Sequence, residues 1–278
     1  MGIRRQAPEV EAMSRLLVCA PDYFRIDYEI NPWMRLSNSV ELDRARTQWY
    51  ELMRVLEMKA GASLERMQPV PGLPDLVFTA NAGVVVGLRA VPSRFRHPER
   101  RREEPYFEAW FLDHGYEVVK LDKDIYFEGA GDLLGFPDAS FGGYRQRSDI
   151  RAYPRLGEIF GREIIPVELV DSRFYHLDTC FCPLSGGELL YYPPAFDPYA
   201  QAVISDRIGQ DCRLVVPESE ALRFACNAVC IAKHVVLPAG CPETTKLLED
   251  RGYETHPLPL DEYMKSGGSA KCLTLALD

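Results

Sequence analysis

The feature that most constrains this chain is a fivefold internal repeat. A glycine closing a helix-like segment and opening a short strand recurs at Gly61, Gly115, Gly161, Gly209 and Gly252, at intervals of 43 to 54 residues. Glycine suits such points because a helix C-terminus often ends in a left-handed residue. A polar residue inside a short apolar run recurs at Asn81, Asp132, Asp178, Asn227 and Cys272, at intervals of 45 to 51 residues. Two independent marks in five copies predict five similar units, each holding a strand, a return strand, a helix and another strand.

The helices between the marks are legible. Asn38 and Glu41 read as a capping box ahead of Trp49, Leu52, Met53 and Leu56, which recur with helical spacing. Tyr106, Phe107, Trp110 and Phe111 form a second apolar stripe, and Pro242 suits the first turn of a third helix. An all-β propeller of similar period has no room for helices. One closed, ring-like α/β domain is expected.

Composition narrows the function. The 278 residues carry a formal net charge of −9, which argues against nucleic acid or an anionic membrane surface as partner. No apolar run approaches a membrane span, and residues 1–13 lack the apolar stretch of a secretory signal. The eight cysteines sit mostly in strand-like apolar runs without the spacing of a disulfide scaffold, so a reduced, cytoplasmic protein is expected. Cys180 and Cys182, or Cys226 and Cys230, offer only weak metal spacing, and neither a C-x-x-C pair nor an H-E-x-x-H helix occurs. No phosphate-cradling glycine loop is present. Neither metal nor organic cofactor is expected.

If the repeats close a ring, their polar marks converge on its axis, where an unpaired Asp or Asn is costly. Around them lie Phe127-Glu128-Gly129-Ala130-Gly131-Asp132, Phe174-Tyr175-His176-Leu177-Asp178 and Gly267-Gly268-Ser269-Ala270-Lys271-Cys272. These offer carboxylates, an imidazole and a thiol, a set suited to covalent catalysis on a cationic substrate. Plainer readings stand beside this one. Cys272 reads equally as a buried hydrophobe, His176 as a packed histidine, Glu128 and Asp132 as turn caps, Asp178 as a strand-end acceptor, Asn81 as a turn residue, and Arg100 and Arg147 as solvated surface.

The ordered motifs YEINPWM, PDLVFTANAG, FEGAGD, YHLDTCF and SGGSAKCLTLAL resemble those of the guanidino-group modifying enzymes, the pentein superfamily. That group includes arginine dihydrolases, arginine deiminases, dimethylarginine dimethylaminohydrolases and amidinotransferases. The resemblance runs from about Arg15 to Leu277. It implies a five-bladed α/β propeller of ββαβ units with pseudo-fivefold symmetry, a single catalytic domain over residues 15–278, and an N-terminal extension over residues 1–14.

The resemblance also implies roles. Cys272 matches the nucleophile, His176 the general acid/base, Glu128 the acidic residue of the E-G-G-D-like motif, and Asp178 the guanidinium-binding aspartate. Asp75 and Phe78 match pocket residues. Arg100 and Arg147 match arginines that hold a substrate carboxylate, with Arg101 or Arg94 as alternatives to the first, and Asn31 matches a lid-loop residue. The deiminases and dimethylargininases carry aspartate where this chain has Asn81. Asn81 together with YEINPWM looks most like the dihydrolases, which convert arginine to ornithine. The implied function is a cysteine-dependent hydrolase of the guanidino carbon. Deiminase or dimethylargininase activity comes next, then amidinotransferase, and a catalytically silent binding module on the same fold is the non-enzymatic rival. The implied partner is a small arginine-like molecule, and homo-oligomerisation stays open.

Overall fold

A computed structural model describes residues 14–136 and 139–277. All but the last residue of the expected N-terminal extension, Ser14, lie outside the described residues. Fifteen short strands form five three-stranded sheets. In chain order they are β1 (Arg15–Cys19), β2 (Ser63–Met67), β3 (Gly83–Val86), β4 (Arg89–Pro92), β5 (Glu117–Val118), β6 (Leu133–Gly135), β7 (Ser140–Tyr144) and β8 (Ile164–Glu168). They continue with β9 (Phe181–Pro183), β10 (Leu189–Tyr191), β11 (Arg213–Val215), β12 (Val229–Ile231), β13 (His234–Pro238), β14 (Glu254–Leu258) and β15 (Leu275–Ala276).

Every sheet has one plan. An inner strand pairs antiparallel with a middle strand, and an outer strand pairs parallel to the middle one. A parallel pair cannot be joined by a tight turn, and helices make the crossings: Leu42–Met58, Glu104–Asp113, Ala152–Phe160, Pro198–Arg207 and Pro242–Glu249. Four sheets are continuous in sequence. The fifth joins β15, from the chain's end, antiparallel to β1 near its start, and β2 completes it. β15 lies against β3, β6 against β9, and β9 against β12, so the inner strands surround one axis. The architecture is the five-bladed α/β propeller of ββαβ repeats.

Several local expectations hold and others shift. Trp49, Leu52, Met53 and Leu56 are buried on one face of their helix. The next helix buries Phe107, Trp110 and Phe111 but leaves Tyr106 exposed. Gly61, Gly115, Gly161 and Gly252 have positive φ of 72°, 81°, 62° and 86°. Gly209 does not, at φ −55°, because its helix already ends in the extended Ile208 and Gly209 opens a 3-10 turn. The capping box does not form. Asn38 donates its backbone N–H to Arg35 within a turn, and the buried carboxylate of Glu262 accepts the Glu41 N–H. A tertiary acceptor has replaced the local one.

Because β15 closes the ring with only two residues, its buried Leu275 should matter disproportionately. Leu275→Ala is expected to cost about 2–5 kcal/mol, the usual range for a truncated core leucine. Urea unfolding measures it, and a loss below about 1 kcal/mol would mean that β15 does not hold the ring shut.

Candidate active site

The recurring polar residues sit in tight turns just before the inner strands rather than inside the strands. Asn81 lies in the 3-10 turn Thr79–Ala82 before β3, and Asp178 in the turn Leu177–Thr179 before β9. Asp132 follows the turn Gly129–Gly131 before β6, while Asn227 and Cys272 precede β12 and β15 by a few residues. The turns satisfy backbone groups locally, as in Asn81 N–H to Phe78 and Thr179 N–H to His176. The side chains are then free to form one cluster.

Cys272 is buried at 3% exposure. Its Sγ lies 3.4 Å from Asp178 Oδ2 and accepts from Asn227 Nδ2 at 3.1 Å. Asn227 Oδ1 also accepts the N–H groups of Ser269 and Cys272, at 2.8 and 3.2 Å, while its Nδ2 reaches the Asp178 carbonyl at 3.0 Å. Asn227 therefore fixes the loop that carries Cys272. The repeat spacing marks this residue without assigning it a role. Burial pushes the Cys272 thiol well above its ordinary value, and the nearby Asp178 adds to that. Burial likewise pushes Asp178 up to about 7, against the pull of Lys271. Asp178 Oδ1 is buried without a hydrogen-bond partner.

The second part of the cluster is built on Glu128. Its Oε2 accepts from Arg147 Nη1 at 2.9 Å and lies 2.7 Å from His176 Nε2, and its Oε1 accepts the Arg96 N–H at 3.1 Å. Burial opposes ionisation of Glu128, but Arg147 and the His176 hydrogen bond together outweigh it and hold the carboxyl well below its usual range. Glu128 thus engages Nε2 of His176 and leaves Nδ1 as the other ring nitrogen. Asp132, through Ser148 at 2.6 Å and Leu177 N–H at 3.0 Å, ties the Glu128 and His176 segments together.

Neither Arg100 nor Arg147 is a surface residue. Arg147 stacks over the Tyr175 ring at 4.7 Å. Arg100 pairs with the buried Glu103 at 2.7 Å, lies over Phe95 at 4.4 Å and donates to Asn81 Oδ1 at 2.8 Å. Asn81 in turn donates to the Glu128 carbonyl at 3.0 Å, so each end of its amide already has one partner. The alternatives to Arg100 fall elsewhere. Arg101 donates to the carbonyls of Phe95 and Arg96, and the Arg94 backbone bridges to Phe127. Asp75 accepts from Tyr28 at 2.9 Å, and its Oδ1 is buried without a partner. Burial raises its carboxyl above the ordinary value, with Arg100 opposing.

The YEINPWM loop covers this cluster. Tyr28 bonds Asp75, the Ile30 carbonyl accepts from Arg147 at 3.0 Å, and Trp33 Nε1 reaches the Arg173 carbonyl at 2.8 Å. Asn31 is engaged at both ends: Nδ2 donates to Ser266, and Oδ1 accepts from Trp33 and Met34. Beneath lies a small, narrow cavity. Asn31, Asp75, Phe78, Asn81, Arg100, Arg147 and Cys272 line it, with Ile30, Tyr175 and Ser266. Asp178 joins through Cys272, and His176 and Glu128 through Arg147. The cavity thus combines a thiol, buried carboxylate oxygens in need of donors, and a cationic wall. Tyr28 and Tyr175 are not legible as site residues, since each acts through a partner distant in sequence, and Glu103, three residues from Arg100, lies in a short run of mixed charge that reads as surface.

Comparison with known proteins places this geometry. No family model matches the chain. It is 45% identical over 264 residues to the bifunctional arginine dihydrolase/ornithine cyclodeaminase ArgZ of Synechocystis sp., covering 94% of this chain but spanning only 37% of that relative's length. It is 37% identical to the N(G),N(G)-dimethylarginine dimethylaminohydrolase of Mycobacterium tuberculosis, over 95% of this chain and 85% of that one. Among solved structures, the product-bound N-terminal domain of the cyanobacterial ArgZ superposes with a TM-score of 0.93 at 44% identity, covering 96% of this chain and 98% of that one. The same domain has also been seen, in an asparagine-to-serine variant, covalently bound to a reaction intermediate.

The elevated Asp178 makes stability depend on pH. Its folded value near 7 lies above the ordinary 3.8, so the folded state retains a proton that the unfolded chain releases as pH rises from about 4 to 7. Stability should fall across that window and level off above it. Asp178→Asn should remove this slope and stabilise the empty protein at pH 8 relative to pH 4, by on the order of 2–4 kcal/mol. Urea titrations at the two pH values decide the matter, and parallel pH profiles for both proteins would contradict it.

Proposed function

This chain belongs to the guanidino-group hydrolases of the pentein family, and on that footing we propose that it is an arginine dihydrolase converting L-arginine to ornithine, carbon dioxide and two molecules of ammonia. The observation that carries the reading is Cys272 in contact with the Asp178 carboxyl and lining a cavity with Asp75, each of these two carboxyls keeping one buried oxygen without a partner. An isolated buried acceptor is costly. A planar cation with forked N–H donors relieves that cost, and a guanidinium is such a group.

The same burial bears on how the thiol is switched on. Cys272 is held protonated by burial and by Asp178. An entering guanidinium brings positive charge beside both groups, which favours their anionic forms. The thiolate then attacks the guanidino carbon, and His176 supplies the proton with which the terminal nitrogen leaves as ammonia. Glu128 orients His176 through its Nε2. Water, deprotonated by His176, attacks the resulting thiouronium, and Cys272 departs to leave the ureido group of citrulline. Arg147, and Arg100 with it, would face the substrate carboxylate, and Phe78 would flank the alkyl chain.

A dihydrolase must keep citrulline and attack the same carbon again. The second attack expels ammonia and leaves a thiocarbamate on Cys272, whose hydrolysis gives a carbamate that releases carbon dioxide and ornithine. Asn81 favours this second round. Its amide retains one donor and one acceptor beyond its bonds to Glu128 and Arg100, so it can bind the neutral ureido oxygen. An aspartate there could only accept and would repel that oxygen. The retained Cys272, His176 and Glu128 set speaks against a silent binding module, and the unbridged thiols support a reducing, cytoplasmic setting. Among the described residues no helix is long and apolar enough to cross a membrane.

Two substitutions test the reading. Cys272→Ser should abolish turnover of arginine with the fold retained, because a hydroxyl is far less nucleophilic than a thiolate, and mass spectrometry of the native protein should trap a substrate-derived adduct on Cys272. Full activity in the serine variant would end the covalent mechanism. Asn81→Asp should shift the product from ornithine toward citrulline, read by chromatographic amino-acid analysis. A native protein that yields only citrulline would instead be a deiminase.

A further inference from the structure

Away from this cavity, three metal-ligating side chains meet on the blade formed by β12, β13 and β14. Parallel pairing sets His234 opposite Glu254 and Val236 opposite His256. Residues two apart on a strand share a face, so Glu254 and His256 stand side by side with His234 across from them. His234 Nδ1 and His256 Nε2 are 3.0 Å apart. Glu254 oxygens lie 3.7 Å from His234 Nδ1 and 3.8 Å from His256 Nε2.

We propose that His234, Glu254 and His256 form a second site, for a divalent transition-metal ion of the zinc type, unconnected with guanidino chemistry. Zinc binds imidazole nitrogen and carboxylate oxygen at about 2.0–2.2 Å, so donors around a tetrahedral ion are spaced roughly 3.3 Å apart. The observed 3.0, 3.7 and 3.8 Å straddle that spacing. Two imidazole nitrogens facing each other can share one proton or one metal, and the carboxylate beside both supplies the third ligand and a compensating charge. Imidazole selects zinc-like ions over magnesium and calcium, which prefer oxygen. The Glu254 side chain is 61% exposed, so solvent can fill the remaining position. The bound ion would clip the outer strand β14 to β13, stabilising the fold by binding only its native form.

The test uses the full chain and zinc or cobalt(II) alone. Because a thiolate also binds zinc, titrations are run on Cys272→Ala as well as on the native protein. Both should bind one cobalt ion with the visible absorption of a tetrahedral nitrogen/oxygen site and without thiolate charge transfer. Both should also show a Tm that rises with zinc. His234→Gln and His256→Gln should each weaken binding at least tenfold, since even residues that merely support ligands cost about that much, and both should lose the zinc-dependent Tm rise. Glu254→Gln should weaken binding without changing the cobalt spectrum's class. Far-UV circular dichroism confirms that the variants are folded. Absence of binding in Cys272→Ala, or unchanged binding in both glutamine-for-histidine variants, would overturn the site and leave the pair as a plain imidazole hydrogen bond.

Discussion

The pairing of β15 with β1 closes the ring, and the site depends on that closure. A single blade of three short strands and one helix cannot bury its own apolar face. Each of the five relies on its neighbours, and the blade assembled from both chain ends relies on two residues of β15. The same segment carries Cys272, three positions before that strand begins. The Cys272 carbonyl accepts the Ala80 N–H, and the Lys271 N–H reaches the Asn227 carbonyl, so the Cys272 segment is tied to the blades on both sides. Folding and assembly of the active site are thus one event.

Within the ring, charge is arranged unevenly. Glu128 is held ionised between Arg147 and His176, while Asp178 and Cys272 favour their protonated forms in the empty cavity. Arg100 has its own buried counter-ion in Glu103. One region is therefore balanced in advance, and another waits for positive charge. Buried carboxylate oxygens without partners weaken a protein at rest. Here one belongs to Asp178, whose other oxygen lies 3.4 Å from the Cys272 thiol, and the other to Asp75 in the cavity wall, where unsatisfied groups usually mark function rather than error.

The lid shows the same economy. Tyr28, Ile30, Asn31 and Trp33 each make a polar contact with a different part of the ring, and none is free to dangle. Arg147 touches both Glu128 and the lid, so one guanidinium links the partner of His176 to the cover above it. A cover that excludes water strengthens the charge contacts beneath it.

The sequence by itself determined the five repeats, the closed α/β ring and the cluster of Asn81, Glu128, His176, Asp178 and Cys272. These were readable because periodicity and a polar residue in an apolar run are local signals that need no knowledge of neighbours. Only the tertiary structure decided the rest. It buried Arg100 and Arg147, which read as surface in their polar stretches, because their counter-ions and aromatic platforms come from folded turns and other blades. It replaced the Asn38–Glu41 cap with Glu262, and it assigned Asn227 to orient Cys272 across 45 residues. It also brought His234 against His256, 22 residues away, through the register of two parallel strands. Side chains that act through a partner far along the chain leave no pattern in it. Their function exists only once the ring has closed.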